Sequence, residues 1–150
     1  MPSSSASKLG RRCLLGAALL PLVAHAESPP ELRFETLYKS FGVRGLQFSD
    51  RVAALKGKPA SITGYMAPPL KAESHFFVLT SEPLALCPFC QSDADWPLDI
   101  VVIYLQRKMP LIDAGTRITV SGRLEVGSWM DPKTGFVSQL RLVNASFHRA

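Results

Sequence analysis

Two cysteines two residues apart, Cys87 and Cys90 in "PLALCPFCQSDADWP" (Pro83 to Pro97), are the side chains best placed to do chemistry. A C-x-x-C pair serves dithiol redox exchange, metal ligation by two thiolates, or a structural disulfide. Thioredoxin-type exchange needs the first cysteine at a helix N-terminus inside a βαβ unit, where the thiolate is stabilised. Here Gln91 to Pro97 follow, acidic and ending in proline, and Asp93 and Asp95 work against a thiolate. Haem attachment needs histidine directly after the second cysteine, and Gln91 stands there.

As a metal site, the pair supplies two thiolates and tetrahedral closure needs two more ligands. Asp93 and Asp95 come from the same loop, His75 stands at the start of the preceding strand, and His148 is more remote. Soft thiolates favour zinc or copper over calcium or magnesium. As a clip, a C-x-x-C disulfide closes a very small loop and gains little chain entropy, though it would pin the connection that carries it. Metal and disulfide both stay open, because a metal needs the reduced form.

The compartment bears on that choice. "SKLGRRCLLGAALLPLVAHA" has a basic start, an apolar stretch from Cys13 to Val23 and a small-x-small ending at Ala24-His25-Ala26. That is the anatomy of a secretory signal peptide over residues 1–26, with an apolar run too short to span a bilayer. Arg11-Arg12 before it suggests a twin-arginine route, and the Sec route is equally served by a basic start. Cleavage after Ala26 removes Lys8, Arg11 and Arg12 and no acid, so the formal charge of +5 falls to 14 basic minus 12 acidic, or +2. Nothing left demands nucleic acid or an anionic membrane. Cys13 leaves as well, and the mature chain is expected in the periplasm, with two cysteines and no transmembrane segment.

The elements that would carry the cysteines follow from hydrophobic period. Residues 27–45 read as an N-terminal arm, with Leu32, Phe34, Leu37, Tyr38 and Phe41 loosely spaced as a helix face, and an extended arm as the other reading of the same stretch. "SDRVAALKGK" reads as a helix, opened by Ser49 or Asp50 and stopped at Gly57. From there the period becomes two. "PASITGYM", "HFFVLT", "PLDIVVIYLQ", "TRITVSGRLEVG" and "FVSQLRLVNASF" read as five strands, the third apolar on both faces and therefore central. "RKMPLIDAG" has room for one helical turn, and Asp131 to Gly135 ("DPKTG") form a turn between the last two strands. Five short strands with a glycine inside the first and fourth predict a mainly all-β fold, a small five-stranded OB-like barrel over residues 46–150.

Weaker signals lie around the last turn. Trp129 and Met130 adjoin it, where barrels of this kind often bind ligands, and a tryptophan capping the barrel end is the plainer reading. Arg117, Arg123 and Arg141 are expected to share the outer face of strands four and five, as a solvated face or a site for a partner's carboxylate or phosphate. There is no Gly-rich phosphate loop, G-x-S-x-G elbow or H-E-x-x-H helix, and two mature histidines are thin material for acid–base catalysis.

"VAALKGKPASITGYMAPPL" followed by "FFVLTSEPLALCPFC" resembles an uncharacterised family of exported bacterial proteins with an "LxGKxVxIxGYMxPL" segment and a cysteine-bearing loop. Leu55, Gly57, Lys58, Ile62, Gly64, Tyr65, Met66, Pro68 and Leu70 match it, and Cys87 fits the loop cysteine. The resemblance implies an OB-like envelope module, often encoded beside ABC-transporter components and sometimes linked to metal homeostasis. Many such relatives carry histidine two residues after the loop cysteine, where this chain has Phe89 and then Cys90. The expectation is an exported, non-enzymatic binding or accessory module. Its loop would take zinc or copper, with Cys87, Cys90, His75, Asp93 and Asp95 as ligand candidates, and its partner would be an envelope protein or an ABC-transporter component. The alternatives are an envelope thiol–disulfide protein and an interaction partner clipped by a Cys87–Cys90 disulfide, docking through Trp129, Arg117 and Arg123.

Overall fold

The computed structural model describes residues 28–42, 45–68, 75–84, 96–108, 110, 112–113 and 115–150. The secretory leader expected over residues 1–26 therefore lies outside the described residues. The fold is mainly β. Its strands are β1 (Glu31–Leu32), β2 (Tyr38–Gly42), β3 (Gly45–Phe48), β4 (Pro59–Met66), β5 (Phe76–Thr80), β6 (Ile100–Leu105), β7 (Arg117–Met130) and β8 (Val137–Arg149). The one α-helix among the described residues is α1 (Asp50–Leu55).

All five strands expected from alternation are present, as β4 to β8. β4 pairs antiparallel with β5, β5 with β6, and β8 with β7, while β6 and β8 run parallel. β7 also pairs with β4, in unbroken register from Pro59↔Arg123 to Tyr65↔Arg117, so the pairings return to the strand where they began. The core fills the inside of this arrangement with Ile62, Phe77, Leu79, Val101, Ile103, Ile118, Val120, Leu124, Leu140 and Leu142. β5 is buried along its whole length and β6 over Ile100 to Ile103, which is why the third apolar run shows no alternation.

The glycines inside β4 and β7 are there for close approach. A Cβ on Gly64 would sit 2.5 Å from the Thr80 carbonyl oxygen and 2.9 Å from the Phe34 ring, and one on Gly122 would sit 2.9 Å from the Val143 carbonyl oxygen. α1 forms as its ends predict. The Ser49 hydroxyl accepts from the Val52 amide at 3.3 Å, and Val52 is the residue it buries. Gly57 takes φ +77° just beyond, and its amide donates 2.7 Å to the Leu124 carbonyl, tying the helix exit to β7.

The N-terminal segment departs from expectation. In place of a helical arm it forms β1, one turn of 3-10 helix (Phe34–Thr36), and a separate two-stranded sheet of β2 and β3. β1 lies parallel to β4, Glu31 opposite Ser61 and Leu32 opposite Ile62, in line with β5 along that edge. The physical reason is that Leu32 and Leu37 each bury fully at different points of the core, and a chain spread over several elements cannot keep one helical face. The described residues between Leu105 and Arg117 likewise carry no helix where one turn was expected.

Gly64→Ala is expected to lower stability by about 2 kcal/mol, because Thr80 backbone must move to admit one methyl group. Thermal unfolding followed by circular dichroism measures this, and an unchanged midpoint would mean that β4 and β5 can part at no cost.

Candidate functional site

The connection that carries the cysteines leaves β5 and enters β6 at one end of the sheet, where Thr80 stands opposite Ile100. Its two stems are joined at the base. The Ser81 amide donates to the Asp99 carbonyl at 3.2 Å, and the Thr80 hydroxyl lies 2.6 Å from the Glu82 carbonyl and 3.3 Å from that of Tyr65. Farther out, the Trp96 indole N–H donates to the Tyr38 hydroxyl at 2.8 Å, so the returning stem is fastened to β2. A half-buried indole needs such an acceptor, and Trp96 also packs against both apolar clusters of the protein. Tyr38 is in turn held by the Phe48 ring across the β2–β3 pair, with centroids 5.3 Å apart.

Burial pushes the Tyr38 phenol up to about 12; the Trp96 hydrogen bond opposes this and the Asp99 carboxylate adds to it. Tyr38 therefore keeps its proton over the whole physiological range. Beside the stems is an open groove of about 490 Å³, lined by Phe34, Glu35, Tyr38, Ser81, Glu82, Leu98 and Asp99. A larger one of about 600 Å³ lies across the Phe34–Thr36 turn, between Glu31, Arg33, Thr63, Tyr65 and Arg117. Three carboxylates, Glu35, Glu82 and Asp99, thus stand around the loop base with no basic residue among the lining of the smaller groove.

Cys87, Cys90, Asp93 and Asp95 themselves lie outside the described residues, as does Leu70 of the G-Y-M segment. His75 is exposed and precedes β5 at the end opposite the stems, its carbonyl accepting from the Leu105 amide at 3.3 Å. Five strand residues separate it from the loop base, about 16 Å of extended chain. Among the described residues no group of three His, Cys, Asp or Glu side chains is placed to hold a metal.

The three arginines do not share one site. Arg117 is exposed opposite Tyr65 and borders the larger groove. Arg123 and Arg141 instead meet on Glu125, each at 3.0 Å. Arg141 is buried, with its guanidinium donating to the Gly127 carbonyl at 2.9 Å and lying 5.1 Å over the Trp129 ring. Trp129 meets Tyr104 edge to face with centroids 5.3 Å apart and remains 38% exposed.

Sequence reading passed over Tyr104, whose hydroxyl is buried near Asp131 and Arg141 with no hydrogen-bond partner among the described residues. Asp131 is buried; that burial pushes its carboxyl up, but the Lys133 and Thr134 amides hold it below the ordinary value. Burial raises the Tyr104 phenol well above its usual range, and the Asp131 carboxylate reinforces this against the opposing Arg141 charge. The signal for Asp131 was present, since aspartate opening a D-P-K-T-G turn caps the amides after it.

The class this architecture defines is a mainly β domain with two grooves at one end and a clamped loop between β5 and β6. Its structure is similar to the crystal structure of a DUF3299 family protein from Pseudomonas aeruginosa. The TM-score is 0.51 at 14% identity, over 83% of this chain and 99% of that one. At that identity the likeness shows the fold, and an uncharacterised family fits the resemblance read from the G-Y-M segment. No protein-family model matches the chain, and no curated protein matches it either.

Tyr38→Phe leaves the Trp96 indole N–H without its acceptor and is expected to lower stability by about 1 kcal/mol in urea unfolding. The phenol's raised pKa also has a sign. Its stabilising share is complete below the unfolded value of 10.0 and is lost as pH rises towards about 12. The wild type should therefore lose stability more steeply than Tyr38→Phe across that alkaline window. Parallel slopes would show that the phenol does not discriminate between folded and unfolded chains.

Proposed function

We propose that the protein is an exported, non-enzymatic binding or accessory module. Strands β4 to β8 form an OB-like barrel, and the Cys87/Cys90 loop is its binding element, taking zinc or copper through two thiolates. Three things support the barrel: the closed sequence of pairings, the parallel β6–β8 pair, and the glycines at the tight crossings. Export is supported by the leader-like pattern of residues 1–26.

The observation that carries the binding role is the base of the loop. The segment holding both mature cysteines is fastened at its stems, Ser81 to Asp99 and Trp96 to Tyr38, and Glu35, Glu82 and Asp99 surround the exit. A fixed base limits the entropy lost when a ligand orders the loop, and the carboxylates favour a cation. A disulfide clip is less needed where the base is already closed by hydrogen bonds, and it would close too short a loop to add much. Asp93 and Asp95 are the nearest candidates in sequence to complete the site, since His75 starts from the other end of β5. An envelope protein or an ABC-transporter component is the partner that the sequence resemblance supports.

Intact mass under native and denaturing conditions, with thiol counting on protein taken from the periplasm, tests this reading. One metal ion per chain is expected in the reduced protein, lost in both Cys87→Ser and Cys90→Ser while circular dichroism stays unchanged. Two oxidised sulfurs and no uptake when the reduced protein is titrated with zinc or copper would sink the metal site. Catalytic turnover of a dithiol substrate would replace it with an envelope thiol–disulfide enzyme.

A further inference from the structure

The two grooves beside the loop base are continuous. Phe34, Glu35 and Ser81 line both, so they meet over the Phe34–Thr36 turn as one cleft. The strands beneath set its length. Arg117 stands opposite Tyr65, Tyr65 opposite Thr80, and Thr80 opposite Ile100, a row across β7, β4, β5 and β6 at this end of the sheet. Three strand spacings are about 14 Å, the reach of about four residues of extended chain.

The cleft carries opposite charge at its two ends. Arg33 and Arg117 line the larger groove, Glu82 and Asp99 line the smaller one, and Glu35 stands where they join. None of these five side chains makes a hydrogen bond or ion pair among the described residues, whereas Lys39, Arg51, Arg123 and Arg141 are all engaged. Glu31, the other carboxylate of the larger groove, already accepts from the Thr63 hydroxyl at 3.3 Å. Between the charged ends lie the half-buried rings of Phe34 and Tyr38 and the Leu98 side chain, 42% exposed. A polyanion is repelled by the acidic end, and a compact metabolite does not reach both ends of so long a cleft. An extended peptide reaches both, and an open cleft lets its chain run on beyond them.

We propose that this cleft docks an extended segment of a partner protein, with a basic side chain at Glu82 and Asp99 and an acidic one about four residues away at Arg33 and Arg117. Apolar side chains between them would lie over Phe34 and Leu98. Lysine or arginine lays its methylene stem along such a floor while its charge reaches the carboxylates. Opposite charges at the two ends fix the register in which the segment lies. The proposal rests on the accessory-module reading for the existence of a partner, and it is independent of metal capture by the cysteine loop.

Retention of the protein on bead-bound peptide libraries tests it. The libraries share a randomised apolar centre of three residues and differ only in their ends: one lysine and one glutamate in either order, two lysines, two glutamates, or two glycines. Wild type is expected to be held about fivefold better by the mixed-charge library than by the others, a preference that added salt removes. Arg33→Glu with Arg117→Glu should move the preference to the two-lysine library, and Glu82→Lys with Asp99→Lys to the two-glutamate library. All four side chains are exposed, so the unfolding midpoint should stay in place, and a new preference is a gain that a misfolded variant cannot give. Cys87→Ser is expected to keep the wild-type preference. Equal retention on all libraries, or variants that keep the wild-type preference, overturns the proposal. No retention of protein that still takes up metal, or retention only when metal is loaded, overturns the cleft while leaving the loop reading in place.

Discussion

The register of β4 against β7, from Pro59↔Arg123 to Tyr65↔Arg117, is the constraint on which the rest of the structure depends. β4 is already engaged on its other edge by β1 and then β5, so this pairing turns a row of strands into a closed circuit. Closure commits the interior to Ile62, Ile118, Val120 and Leu124, and it brings strands near enough that Gly64 and Gly122 have no room for a side chain. It also fixes which ends of the strands face which way. The β5–β6 connection opens beside the Phe34 turn, while the β7–β8 hairpin packs on β5 and β6 through Phe136 against Phe76 and Trp129 against Tyr104.

Much of this is legible in the order of residues alone. Most of the strands announce themselves because one face is buried, while β5 and Ile100 to Ile103 of β6 are buried on both faces, as their continuous apolar composition implies. Ser49 and Gly57 bracket α1 because capping chemistry is local. The N-terminal segment is illegible for the opposite reason. Leu32 is extended because Ile62 lies beside it, thirty residues later in the chain, and helical spacing carries no information about a partner that distant.

The candidate sites divide along the same line. Arg141 looks in sequence like a solvated arginine beside Arg117 and Arg123, yet Glu125 stands directly opposite it and makes it a buried brace. That pairing is fixed by the length of the Asp131–Gly135 turn, so knowing the turn and both strands is not enough without counting the register through the bulge at Gly127. Trp96 and Tyr38 are fifty-eight positions apart, and neither sequence neighbourhood hints at the other. The cysteines are conspicuous by type alone; the clamp that fixes their stems is not.

The backbone bond between Ser81 and Asp99 has a consequence for how such a protein changes over generations. With the base shut, β5 and β6 keep their register whatever lies between, and doubling a flexible insert costs only about 0.6 kcal/mol of closure entropy. Residues between the stems can therefore change in number or type at little cost to the strands that hold them.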